Sequence, residues 1–399
     1  MKAKAEPMVF GLILIYFTCY FMRLFKFPDL LTLVFGAGFC LLLLLKQKKL
    51  RIDIGLCLLA ITMFSYCIIV FGARGIVIMM PYVPMVIYVL SHYLACEIKG
   101  RVNSEEKICY VIYGLVFGHA VYGILNAIMY FAGTAIPGTR YWMDVWQRQV
   151  IPGTQLTVYF ISVFAVLFPA IIYFWRRKVI NTVIVLITLF LIYASLATRS
   201  RTTILVLGLV FCGQVVLYGI LEREKVMKNV TPKKAGIFLG CIAVAVAVLV
   251  FALKDNDIVV AFINNLSKDG GILNNVRFVA QRKALSQLFD YPMGGTSNEL
   301  GIIMAHNLWL DMAIAAGLIP FFAFIAYTLW TLYELIRFVF TKGIDTEVKL
   351  MIAGIYVAFF LFYMVEPAFN ASIHFITPWM LINGLVHGYL SDKGIRIGK

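Results

Sequence analysis

His306 closes a long basic segment and stands directly before an apolar run that begins at Leu308. Imidazole changes charge near neutrality, and a base of that strength suits removing a proton from a hydroxyl. A lone histidine more commonly serves as a hydrogen-bonded structural group, so both readings are carried forward. Upstream lie Arg277 and Arg282, and further back the triplet Arg199-Ser200-Arg201. A guanidinium is the side chain suited to forked binding of phosphate oxygens. Asn307 adds an amide beside the imidazole. A third group, Arg140 to Arg148, interleaves Arg140, Asp144, Gln147 and Arg148 with Trp142 and Trp146. Such rings either anchor a chain at a bilayer interface or stack on the apolar faces of sugars. Asp255-Asn256-Asp257 has the D-x-D form of some metal-diphosphate sites, but a solvated loop start explains it more simply. No metal is therefore expected, and the chain contains no H-E-x-x-H, G-x-x-x-x-G-K or G-x-S-x-G pattern.

The elements that must position these residues follow from composition. Of 399 residues, 62% are hydrophobic and only 14% charged, against about 25% charged in soluble domains. The mean hydropathy is +0.90. This excludes a water-soluble globule and predicts a single all-α, polytopic integral membrane domain over 1–399. Apolar runs fall at 8–22, 28–45, 53–72, 76–95, 108–132, 154–174, 179–197, 203–221, 236–253, 308–333, 350–365 and 375–390. That is about twelve spans by the usual length criterion. The first reads as a spanning helix and not as a removed signal, because no small-residue cleavage site follows it.

The net charge is +15. In a soluble chain this would suggest nucleic acid; here it reads as the positive-inside bias of membrane proteins. Most basic residues fall on one side when the N-terminus is cytoplasmic, which predicts that both termini face the cytoplasm. The outer side then keeps a minority dominated by arginine, including all the arginines named above. The eight cysteines are scattered through apolar runs without C-x-x-C spacing, which fits neither a disulfide framework nor a metal site. Two outer loops are long, 133–153 and 254–307. The larger is predicted to carry short amphipathic helices. One spans Arg277 to Tyr291, with Phe278, Val279, Ala284, Leu285, Leu288 and Phe289 as its apolar positions. It stops at Tyr291-Pro292-Met293-Gly294-Gly295, a strong breaker.

Ser200-Arg201, followed by Arg277, Ala284-Leu285, Pro292-Met293-Gly294-Gly295, His306-Asn307-Leu308-Trp309-Leu310 and Gly317-Leu318, resembles the signature of the O-antigen ligase and O-antigen polymerase superfamily of membrane glycosyltransferases. The motif match covers roughly 195–335, and the layout covers the whole chain. Gln281 departs from a common Trp, and Ala315 from an acidic residue that often precedes the glycine. The resemblance implies glycosyl transfer at the extracytoplasmic face of a bacterial inner membrane, without metal, cofactor or nucleotide sugar. The donor would be a glycan on undecaprenyl diphosphate. The acceptor would be a sugar hydroxyl on a second lipid-linked repeat unit for a polymerase, or on a lipid-A core for a ligase. His306 would be the base, with Arg277 and Arg201 at the diphosphate. Arg199, Arg282, Arg148, Arg140, Trp142, Trp146 and Asn307 would bind substrate. Membrane lipids and a chain-length regulator are the further partners implied. The rival class is a lipid-linked oligosaccharide flippase or secondary transporter, which places charge within its spans. Here the spans read as nearly free of acids and bases.

Overall fold

A run of Leu, Ile, Val and Phe about twenty residues long has one way to cross hydrocarbon without orphaned amides, namely as a helix. The computed structural model bears this out over the residues it describes: 2–24, 28–72, 82–101, 103–134, 141–198, 200–229, 260, 276–295, 297–366, 373–391 and 395–396. The expected runs fold as α1 (Lys2–Phe21), α2 (Pro28–Gln47), α3 (Ile54–Gly72), α4 (Tyr82–Ile98), α5 (Ser104–Met129) and α6 (Gly153–Tyr173). They continue with α7 (Lys178–Ala197), α8 (Arg201–Leu221) and a short α9 (Arg223–Asn229). Within the large loop lie α10 (Val276–Ser286) and α11 (Ser297–Leu300), and after it come α12 (Leu308–Ala316), α13 (Leu318–Phe340), α14 (Thr346–Tyr363) and α15 (Thr377–Leu390). Among the described residues, seven helices are long and apolar enough to cross a membrane, and Pro7–Phe21, Ile54–Val70 and Tyr82–Ile98 are shorter apolar ones. The expected span at 236–253 lies outside the described residues.

Two expectations are corrected. The span expected over 308–333 is two helices. Gly317 adopts φ 79° and ψ −161° and ends α12 after nine residues, a conformation essentially confined to glycine. The helices, which extend past the expected runs to take in Glu334 and Lys349, are also not nearly free of acids and bases. Asp311, Glu334 and Lys349 are all buried within helices, and Asp53, just before α3, accepts a hydrogen bond from Tyr88 and lies 3.0 Å from the His92 Nδ1. Local apolar density hid these charges, because single ionisable residues scarcely change a window average.

The packing is close where residues are small. α15 packs closely along α4. At that crossing the spacing Gly384-x-x-x-Gly388 presents two positions where a β-carbon would collide with Ser91, the Tyr88 carbonyl and the His92 carbonyl. Small residues four apart let helix backbones approach in this way. α14 packs on α6 and α8, α13 on α3, α2 on α4, and α1 on α5. Two short antiparallel ribbons complete the fold. Lys49–Leu50 pairs with Ile395–Arg396, and Tyr141–Met143 pairs with Val150–Pro152 in the smaller loop.

Candidate functional site

The breaker sequence and the Gly317 turn prove to be two halves of one joint. The Leu318 amide donates to the Pro292 carbonyl at 2.9 Å, and the Gly295 amide to the Ile314 carbonyl at 3.0 Å. A β-carbon on Gly294 would lie 2.9 Å from the Ala315 carbonyl group, and one on Gly317 would strike the Pro292 carbonyl. Both glycines have positive φ. The motif residues 292–295 and 317–318 are thus in order along the chain because they touch, and together they fix the direction in which α12 leaves the loop.

α12 in turn holds the loop that carries the histidine. Asn307 caps the helix, its Oδ1 accepting the Leu310 amide at 3.1 Å. Asp311, fully buried, reaches back and accepts the Ala305 amide at 2.6 Å and the Asn307 amide at 3.3 Å. A buried carboxylate survives only when its lone pairs are filled, so Asp311 ties down the backbone on both sides of His306. His306 itself sits at φ 55°, a left-handed conformation uncommon outside glycine.

On α10 and the turn that follows it, the residues that face the bundle are Arg277, Ala280, Gln281, Ala284 and Leu288, spaced three and four apart as one helical stripe requires. Ala280 and Ala284 are buried, whereas Phe278, Val279, Leu285 and Phe289 point outward. The expected apolar face is thereby corrected: the helix turns its small and polar stripe inward because that stripe has partners. Arg277 Nη1 donates to the Val365 carbonyl and to Glu366 Oε1, both at 2.8 Å. Gln281 Nε2 donates to the Met364 carbonyl at 3.0 Å and to the His306 carbonyl at 3.2 Å. Asn307 Nδ2 also donates to the Met364 carbonyl, at 3.3 Å. The strand of chain just after α14 is therefore the meeting line of α10 and the His306 loop.

Thr202 closes the arrangement from α8. Its hydroxyl donates to the same Glu366 Oε1 at 3.2 Å. Thr202 follows Arg201, the first residue of α8, and Ser200 caps that helix through the Thr203 amide. Ser200 and Thr203 both bond Thr157 of α6 at 2.9 Å. The Ser-Arg pair thus has a division of labour: the serine starts and anchors the helix, and the arginine stands half-buried on its N-terminal turn, next in sequence to Thr202.

No protein-family model and no curated protein matches the chain. The geometry alone therefore carries the reading of the site.

Its electrostatics depart from the expectation of an imidazole titrating near neutrality. Burial and the Arg277 cation push His306 down to about 4. Its Nδ1 is shielded from solvent and has no hydrogen-bond partner among the described residues. The ring is neutral at physiological pH, with a nitrogen available to accept a proton. Burial raises the Glu366 carboxyl above its ordinary range, while Arg277 and Thr202 oppose that rise.

Of the other candidates, Arg199, Arg140, Asp255 and Asp257 lie outside the described residues. Arg282 is exposed on the flank of α10, away from the inward stripe. The smaller loop does not present its aromatic residues as expected. Trp142 is 1% exposed and stacked on Tyr130 at 4.2 Å, so its ring faces are already covered. Trp146 donates its Nε1–H to the Met22 carbonyl at 2.9 Å. Buried Asp144 organises the turn by accepting the Trp146 and Gln147 amides, which leaves exposed Arg148 at its tip. Asn307 also has a positioning role, since each end of its amide bonds the protein. The residues that sequence reasoning missed are Glu366, Asp311, Thr202 and Gln281. An acid in so apolar a chain is itself a signal, and it marked Glu366 and Asp311; Gln281 stood out only as a departure from the motif, and nothing local marked Thr202.

Proposed function

We propose that the chain is a membrane glycosyltransferase of the O-antigen polymerase and ligase type, using a glycan on a polyprenyl diphosphate. The observation that supports it is that Arg277 and the backbone of the His306 loop meet at the 364–366 segment beside the start of α8, Arg277 directly and the loop through Gln281 and Asn307. Arg277 and Arg201, with the amides at the α8 N-terminus, would bind the donor diphosphate. His306 would take the proton of the acceptor hydroxyl. The acceptor oxygen then bonds the anomeric carbon as the bond from that carbon to the diphosphate oxygen breaks. The electron pair leaves with the lipid diphosphate. A bound diphosphate would offset the Arg277 cation and so raise the basicity of His306 when substrate is present. Removing one such electrostatic stabiliser typically costs about 10²–10³ in turnover.

His306 and the two arginines would supply the base and the diphosphate contacts. The face bearing this site would be extracytoplasmic, opposite the basic end formed by Lys46, Lys49, Arg51, Lys99 and Arg101. The acceptor would be the sugar hydroxyl of a second lipid-linked repeat unit, as for a polymerase, or of a lipid-A core, as for a ligase. The test is an in vitro reaction of the purified protein with defined lipid-linked repeat units. Polymer ladders are expected from wild type, with chelator present or absent, and none from His306→Ala or Arg277→Ala of normal membrane abundance. Transfer only to a lipid-A core would make it a ligase. Movement of lipid-linked glycan across vesicles without a new glycosidic bond would replace this reading with a flippase.

A further inference from the structure

Glu366 shares its arginine with the diphosphate of the proposed donor. Its Oε1 accepts from Arg277 Nη1 of α10 at 2.8 Å and from the Thr202 hydroxyl of α8 at 3.2 Å. Among the described residues, Arg277 is the charged group that bears on Glu366 and Thr202 the hydroxyl, while His306 feels that same arginine cation. The two members of the ion pair differ in their access to water. The Arg277 side chain is 30% exposed, whereas that of Glu366 is 6% exposed. A ligand arriving from solvent can therefore reach the arginine, but the carboxylate has no water to turn to when it does.

A buried carboxylate persists as an anion only while a cation and donors answer it. A diphosphate on Arg277 brings further negative charge to the cation that now answers Glu366. Like charges crowded on one site cannot all stay ionised, and the least solvated of them takes up a proton. Burial already biases Glu366 that way, against the opposing effects of Arg277 and Thr202. A neutral carboxyl still offers an oxygen to the Thr202 hydroxyl, so the junction of α8 with the end of α14 survives the change. We propose that Glu366 couples donor binding to proton uptake: a diphosphate seated on Arg277 draws one proton from solvent onto the buried carboxylate, which releases the cation to the ligand. This rests on the diphosphate contact assigned to Arg277 above. By reciprocity, protonation of Glu366 tightens diphosphate binding by the same factor. Glu366 is thus a positioning residue that acts on the ligand through Arg277.

The experiment is isothermal titration calorimetry of the full-length protein in detergent with farnesyl diphosphate. Repeating it in buffers of different ionisation enthalpy counts the protons moved per ligand bound. Wild type is expected to take up close to one proton more than Glu366→Gln, whose amide keeps an oxygen for Thr202. The ligand's own protons are common to both proteins and cancel. Wild-type affinity should rise as pH falls, by up to about tenfold per pH unit, and more steeply than that of Glu366→Gln. His306→Gln should keep the extra proton, which separates the carboxylate from the imidazole. Without any variant, the infrared difference spectrum of wild type should gain the carbonyl stretch of a protonated carboxyl when ligand is added. Equal proton counts in wild type and Glu366→Gln, or no such band, overturn this proposal alone where binding still needs Arg277. Binding undiminished in Arg277→Ala overturns the diphosphate contact, and this proposal with it.

Discussion

Arg277 and Glu366, 89 residues apart in the chain, meet at 2.8 Å with Thr202 on the same carboxylate oxygen. The pair joins the last large loop to the end of α14 and the start of α8. Breaking a buried pair costs roughly 3–5 kcal/mol at most, and solvent at the arginine, whose side chain is 30% exposed, lowers that here. Arg277→Ala should therefore lower the thermal midpoint in detergent. The deficit should be larger near pH 8 than near pH 5, because the stranded Glu366, already biased toward its protonated form, can neutralise itself in acid. An equal deficit at both pH values would mean that the carboxylate is not the group left stranded.

His306 makes a second pH-dependent contribution, of opposite sense to that of a partnered histidine. Its folded pKa of about 4 lies below the ordinary 6.5, so the unfolded chain binds the proton more readily than the folded one. Stability is then full above about pH 6.5 and falls progressively as pH drops toward 4. His306→Gln should flatten that part of a melting-temperature profile. A variant profile as steep as wild type would show that other groups carry the slope.

Gly317 and Gly294 should tolerate no side chain. Alanine at either position meets backbone, not a yielding side chain, and the conformations themselves cost about 1–3 kcal/mol for other residues. Gly317→Ala or Gly294→Ala is expected to reduce folded yield. In the protein that does fold, polymer formation should fall because α12 re-aims the His306 loop. Wild-type activity in folded Gly317→Ala would separate this joint from the site.

Asp311 is the positioning residue whose loss should be felt by chemistry more than by binding. Hydrogen bonds to a charged acceptor contribute about 1.5–3 kcal/mol each, and Asp311 accepts from both Ala305 and Asn307. Asp311→Asn keeps one acceptor oxygen, and its turnover should drop at least tenfold with KM for the lipid-linked donor nearly unchanged. A change in KM alone would place Asp311 at the donor and not behind the base.

How much of this was legible beforehand follows from the range of the forces involved. Helix positions depend on runs of neighbouring apolar residues, and expected and observed bounds agree to within a few residues for most of the chain. α7, for example, was expected at 179–197 and is found at Lys178–Ala197. Caps are local too: a serine or asparagine before a helix bonds an amide three residues on, as Ser200 and Asn307 do. The aromatic loop misled because a Trp among polar residues looks available, whereas Tyr130, twelve residues earlier, covers Trp142.

The amino-acid order by itself determined that this is a helical membrane protein, and which arginines and which histidine were worth attention. Only the tertiary structure decided that α10 turns Arg277 and Gln281 inward, that Gly317 breaks a continuous apolar run, and that Glu366 and Asp311 belong to the site. Each of those outcomes is set by a partner the local window does not contain. A buried charge or carbonyl chooses its place by who can satisfy it, and in this fold that partner comes from another helix.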